Sequence, residues 1–225
     1  MIRKRKFLAL IVLIAGTFVL GSSAARASVA FSTLGPGDTY DGSFAGLPVN
    51  GVNASGTLYA ANAFAPVFDG FLTSIDVGIT NYDIPDNGSG AVVLHLYAND
   101  ITTNTPVTSL DLVTGPLTAT AATGSTNSAL TTFTYGGPPL LLDHNLTYWL
   151  VLGPGSPNTT VNWQASLPAI PGRVGTSGNG TTFQTSNGTL EAFRINVQAV
   201  PEPASLALLG LGGGILVSIA RRRRR

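Results

Sequence analysis

The chain has 225 residues, room for one domain of ordinary size plus sorting segments, and no cysteine, which excludes disulfides, thiolate zinc sites and cysteine nucleophiles. Its formal net charge of +1 hides a segregation: ten of the twelve basic residues lie before Ser28 or after Val200, and residues 28–199 carry two arginines against ten acids, a net −8. A body so charged is repelled by nucleic acid and by anionic membrane surfaces, which disfavours both as its partners.

The first predicted element is a leader. Arg3, Lys4, Arg5 and Lys6 make a basic start, Phe7 to Leu20 an apolar stretch, and Ala25-Arg26-Ala27 a small-residue site. That order is a secretory signal peptide over residues 1–27. Cleavage is expected between Ala27 and Ser28, after passage through the general secretion translocon.

Residues 28–199 read as one all-β domain. No amphipathic helical period is present, and short alternating runs recur between turn-forming clusters. In chain order the expected strands are TLYAANAF (57–64), FLTSIDVGI (71–79), AVVLHLYA (91–98), VTSLDLV (107–113), LTTFTY (130–135), TYWLVL (147–152), TVNWQA (160–165) and EAFRINV (191–197). Alternation puts Phe71, Thr73, Ile75, Val77 and Ile79 on one face of the second run, with Ser74 and Asp76 on the other. It pairs Leu110 with Leu112, and it turns Phe193, Ile195 and Val197 inward while Arg194 and Asn196 face out. Residues 114–128 read as a loose insertion, and Ser166 to Gly188 as a long polar loop, the expected place for a recognition surface. Eight or nine such strands predict two packed antiparallel sheets, a jelly-roll-like β-sandwich, with a closed barrel as the alternative.

Several of these runs carry a resemblance. LYAANAF, LTSIDVGI, VVLHLYAND, LLLDHNLTYWLVL, VNWQAS and EAFRINV, taken in order over about residues 55–198, resemble the bacterial choice-of-anchor R domains. The resemblance implies an extracellular β-sandwich module carried on a surface-sorting tail, with no catalytic residues.

Side-chain chemistry in the body is sparse. His95 shares a strand face with Val93 and Tyr97, and His144 sits in a turn between Asp143 and Asn145; both read as structural. No Gly-x-Ser-x-Gly elbow and no histidine pair at metal-ligand spacing is present, so neither a catalytic residue nor a metal or other cofactor is implied. Asp83, Asp86 and Asn87 could offer oxygens to calcium but fit no known loop spacing, and read as a solvated acidic turn. Trp149 and Trp163, with Arg173 in the polar loop, are the candidate glycan contacts, since sugar rings lie against exposed aromatic faces. The neighbours of both tryptophans are apolar or alternate with apolar residues, so core is the favoured reading for each.

The last element is the tail. Val200-Pro201-Glu202-Pro203 precedes 17 uncharged residues, Ala204 to Ala220, and then Arg221, Arg222, Arg223, Arg224 and Arg225. As a helix the uncharged run reaches about 25 Å, short of a hydrocarbon core of about 30 Å. Four glycines weaken it further as a permanent anchor. The arginines hold the cytoplasmic side, which leaves the body outside, and the prolines give a stiff extended joint. This arrangement resembles the PEP-CTERM sorting signal of Gram-negative bacteria. The resemblance implies recognition by an exosortase, an integral-membrane transpeptidase-like enzyme. It further implies transient inner-membrane anchoring through the helix, then transfer to the cell surface or an exopolysaccharide matrix.

Overall fold

The computed structural model describes residues 27–43, 46–81, 90–113, 117–120 and 130–200. All regular structure among them is β, and every strand pairing is antiparallel. One sheet runs β1 (Ala27–Ser32), β15 (Phe193–Ala199), β4 (Gly70–Val77) and β10 (Leu141–Leu142), with β9 (Thr131–Thr134) also on β4. The larger sheet runs β14 (Gln184–Thr189), β13 (Pro171–Ser177), β3 (Tyr59–Phe64), β11 (Tyr148–Pro154), β6 (Ala91–Asp100) and β7 (Thr105–Asp111), with β8 (Leu117–Thr120) also on β6. The expectation of two sheets is amended by a third, small one, β2 (Leu47–Asn50), β12 (Thr160–Trp163) and β5 (Ile79–Asn81). It arises because β4 runs on through Gly78 into β5, where its partner changes from β15 to β12.

The main core lies between the two large sheets, as in a β-sandwich. Leu72, Ile75, Val77, Phe193, Ile195 and Val197 of the first sheet meet Phe64, Leu94, Leu96, Leu150 and Leu152 of the second, and Trp163 closes one side. Alternation explains these choices: in β15 the inward residues are buried while Arg194 and Asn196 are not. Six of the seven residues of β11 are buried, because this central strand is covered on both faces. Its second face forms a separate cluster of Trp149, Val151, Ala61 and Tyr97, roofed by Phe183 from the turn between β13 and β14.

Two alternation readings are corrected. Phe71 is exposed and Leu72 buried, the reverse of the expected phase. The cause is a bulge: Ser74 pairs with Asn196 but Leu72 pairs with Val197, so Thr73 is an extra residue and the side chains before it change face. Leu110 is likewise exposed, because the pairing of β6 with β7 slips between Tyr97 and Asn99. The expected loop of 166–188 is instead mostly the hairpin β13–β14; its Gly, Thr, Ser and Asn residues satisfy a ladder on β3 without any apolar alternation. Part of the expected insertion at 114–128, Leu117–Thr120, pairs with β6. No helix among the described residues is long and apolar enough to cross a membrane. The expected leader, the calcium turn at Asp83, Asp86 and Asn87, and the tail helix lie outside the described residues.

Candidate functional site

The residues adjoining the two sorting segments sit side by side. Ala27, the first residue of β1, pairs with Gln198 near the end of β15, and Ala199 pairs with Gly70 at the start of β4. The expected cleavage position thus falls between the first two residues of β1, and Ser28 keeps its own partner, Val197. Ala25 and residues 201–225 lie outside the described residues, while Val200 is described and its N–H reaches the Asp69 carbonyl at 3.3 Å. No residue intervenes between the last strand and Val200.

This end of the sandwich, here the exit pole, is built by two turns that cross between the sheets. Residues 65–69 join Phe64 of β3 to Gly70 of β4, and 143–147 join Leu142 of β10 to Tyr148 of β11. Gly70 and Leu142 are paired, as are Phe64 and Tyr148, so both turns lie at one end. They are pinned to each other by His144, whose backbone N–H and Nδ1 lie 2.8 and 2.7 Å from Asp69 Oδ1. The Tyr148 hydroxyl accepts from the Asp143 N–H at 2.9 Å, and Val67 N–H donates to the Ala30 carbonyl at 2.8 Å. Hydrogen bonds from the His144 backbone and side chain hold the Asp69 carboxyl below the usual carboxylate range; the bond to Asp69 raises the His144 imidazole above its ordinary value. Asp69, Asp143 and His144 bring three potential ligand atoms within 4.8 Å of one another, but all three are solvent-facing and engaged with each other or the backbone.

The remaining expected contacts sit elsewhere, and the glycan reading of the tryptophans is corrected. Trp149 and Trp163 are each 0% exposed and present no ring face to a sugar. Trp149 lies under the β13–β14 turn with Nε1 donating to Asn99 Oδ1 at 2.7 Å, and Trp163 Nε1 donates to the Ala192 carbonyl at 3.0 Å. Burial with a satisfied N–H is a structural use of tryptophan. Arg173 is half-buried in β13 and donates to Thr185 Oγ1 of β14 at 2.8 Å, so it braces the hairpin. The structure therefore does not gather Trp149, Trp163 and Arg173 into one surface.

His95 Nδ1 lies 2.6 Å from Asp111 Oδ2, and its ring stacks on Tyr97 at 5.6 Å. A shallow, open depression of about 280 Å³ is lined by Gly51, Val52, Thr57 and residues 154–157, with no ionisable side chain.

Sequence reasoning missed the clustering at the exit pole. Ten large hydrophobic side chains are exposed among the described residues, and Val67, Phe71, Leu141, Leu146 and Val200 are five of them. Phe71 and Leu141 form a cross-strand pair on the outer face, while Val67 and Leu146 sit in the two pole turns. The one signal in the sequence was the run Leu140-Leu141-Leu142, which a strand's alternation cannot bury entirely.

Residues 199–225 match the PEP-CTERM protein-sorting motif. Among curated proteins, none matches the chain. The motif marks an exported protein, held transiently at the membrane by its C-terminus and processed by an exosortase.

Proposed function

We propose that this protein is a non-enzymatic surface or matrix protein whose sandwich body, of the choice-of-anchor R type, serves a structural or adhesive role against secreted polysaccharide. The observation that carries the proposal is the junction at Val200: the sorting motif follows directly on β15, a strand held between β1 and β4. Because β15 is both nearly last in the chain and internal to its sheet, the first sheet is complete only once residues 193–199 are available, as expected of a domain that folds after export. The anionic body, the Thr- and Asn-rich strands and the lack of an exposed tryptophan favour a diffuse, polar contact with hydrated polymer over a narrow sugar slot.

Two measurements test this reading. Mass spectrometry of native exported material should recover peptides of the body from Ser28 onward and none from Leu206 to Arg225; an intact tail on exported protein would replace sorting with simple anchoring. Co-sedimentation with the host's own exopolysaccharide should retain the mature protein, and a protein that stays wholly in solution would remove the adhesive role.

A further inference from the structure

The exit pole concentrates exposed apolar side chains, interspersed with acids, on an anionic body. Besides Val67, Phe71, Leu141, Leu146 and Val200, it carries Ile101, 92% exposed, in the turn that follows β6: Ala98 pairs with Tyr148, so β6 runs past that end of β11. Six of the ten exposed large hydrophobic side chains therefore share one end of the molecule. Singly exposed hydrophobics are ordinary, but their concentration at one pole marks an interaction surface.

The chain itself says what lies opposite. Only Pro201, Glu202 and Pro203 separate Val200 from the uncharged run 204–220, and three residues span at most about 11 Å. The headgroup layer of one leaflet is about 5–8 Å deep. A body tethered that closely cannot stand clear of the bilayer, and the pole is the part that the tether draws down. Val, Leu, Ile and Phe side chains are suited to the boundary between headgroups and acyl chains. The charged groups at the pole are Asp69, Asp143, Asp100 beside Ile101 and, in the tether, Glu202, against His144. They and the net −8 of the body oppose an anionic surface, so attraction comes from apolar contact and from the tether's effective concentration.

We propose that, while the tail is uncut, the exit pole of the domain seats on the lipid headgroup region through Val67, Phe71, Ile101, Leu141 and Leu146, presenting the Pro-Glu-Pro segment at the membrane surface where an embedded enzyme can reach it. Removal of the tail ends the tethering, and the anionic body then leaves the membrane. This inference rests on the reading of residues 204–220 as membrane-inserted, and the experiment separates the two.

The chain lacks cysteine, so single cysteines label uniquely. Full-length protein carrying Val67→Cys, Leu146→Cys, Val52→Cys, Leu167→Cys or Leu208→Cys is labelled with an environment-sensitive fluorophore. Each variant is reconstituted in vesicles of phosphatidylethanolamine and phosphatidylglycerol at high lipid excess. Val52 and Leu167 are exposed but lie away from the pole, near the far ends of β3 and β15. Iodide quenching at positions 67 and 146 should be several-fold weaker than at 52 and 167, and position 208 should be the most protected. A second substitution, Leu141→Asp, should restore quenching at 67 and 146 without unfolding the exposed site. Protection at 208 with equal quenching at all four body positions overturns the seating and leaves the tail reading intact. Free quenching at 208 overturns both. Protection at 67 and 146 that vanishes on further lipid dilution, or needs added exosortase, assigns the pole to a second copy or to the enzyme and overturns the lipid assignment.

Discussion

Asp76 and Glu191 are, among the described residues, the two acids that the fold hides most completely, at 5% and 3% exposure, yet they are held in opposite charge states. Asp76 lies on the outer face of the first sheet. Burial opposes its charge, but Thr132 Oγ1 at 2.7 Å, Asn196 Nδ2 at 2.8 Å and Arg194 Nε at 3.0 Å donate to it, and its carboxyl is held below the ordinary value. Arg194 is completed by Asp38 at 2.7 Å. Glu191 precedes β15 at the seam with the small sheet. Its backbone is well served, with its N–H donating to Asn62 Oδ1 at 2.9 Å and its carbonyl accepting from Thr33 Oγ1 at 2.6 Å. Its carboxyl has one backbone bond, from Leu47, and Oε2 has no partner among the described residues. Burial pushes it up to about 8. What separates the two sites is the supply of donors and a cation, together with the deeper enclosure of the Glu191 carboxyl.

The largest effect that would break this comparison is the pH dependence of Glu191. Its folded value of about 8 lies above the ordinary 4.5, so the folded state binds the proton more tightly than the unfolded chain. Stability is then full below about pH 4.5, falls as pH rises to about 8, and is flat beyond. At about 1.4 kcal/mol per unit of difference the loss is on the order of 5 kcal/mol. Urea unfolding on both sides of that window should show it, and Glu191→Gln should flatten that part of the profile. An unchanged slope in the variant would mean that Glu191 ionises in place without cost.

Next in size is the opposite site. Arg194→Ala leaves the Asp76 carboxylate buried without its cation, which costs about 3 kcal/mol in a setting of this kind. Asp76→Asn in the same background should recover part of the loss, because an amide needs no counter-charge. Denaturant midpoints of the two single variants and the double variant measure the coupling; additive losses would show that Arg194 contributes packing alone.

These sites also show where sequence reading succeeds. The alternation of Phe193, Ile195 and Val197 against Arg194 and Asn196 was legible because β15 is regular and has one core face and one polar face. The phase of FLTSIDVGI was not, because the bulge at Thr73 is decided by β15 across the sheet and leaves no local mark. The β13–β14 hairpin was hidden for a different reason: Gly, Ser and Thr are poor strand signals, and here the ladder on β3 and the Phe183 contact with Trp149 override propensity. β1 escaped because its first residues double as a cleavage site. The exit pole was invisible since its members are scattered from Val67 to Val200 and meet only through the topology. The sorting motif of the tail, by contrast, was legible, because a sorting signal is read by other machinery as a linear pattern.

The smallest effect sharpens the same rule in water. His144 and Asp69 are both open to solvent, so screening leaves their pair little energetic weight. Its sign is still fixed. The bond to Asp69 raises the imidazole above 6.5, so the stabilisation is fully present below pH 6.5 and fades as pH rises through the folded value. Titration followed by NMR should place the His144 resonance above that of an unstructured histidine, and Asp69→Asn should return it. His144→Asn should leave the denaturant midpoint nearly unmoved at about pH 8 and lower it slightly at about pH 5.5. If instead the exit pole loosens at both values, the pair acts by fastening the turns 65–69 and 143–147, and the contribution belongs to the neutral hydrogen bond between His144 Nδ1 and Asp69, with charge secondary.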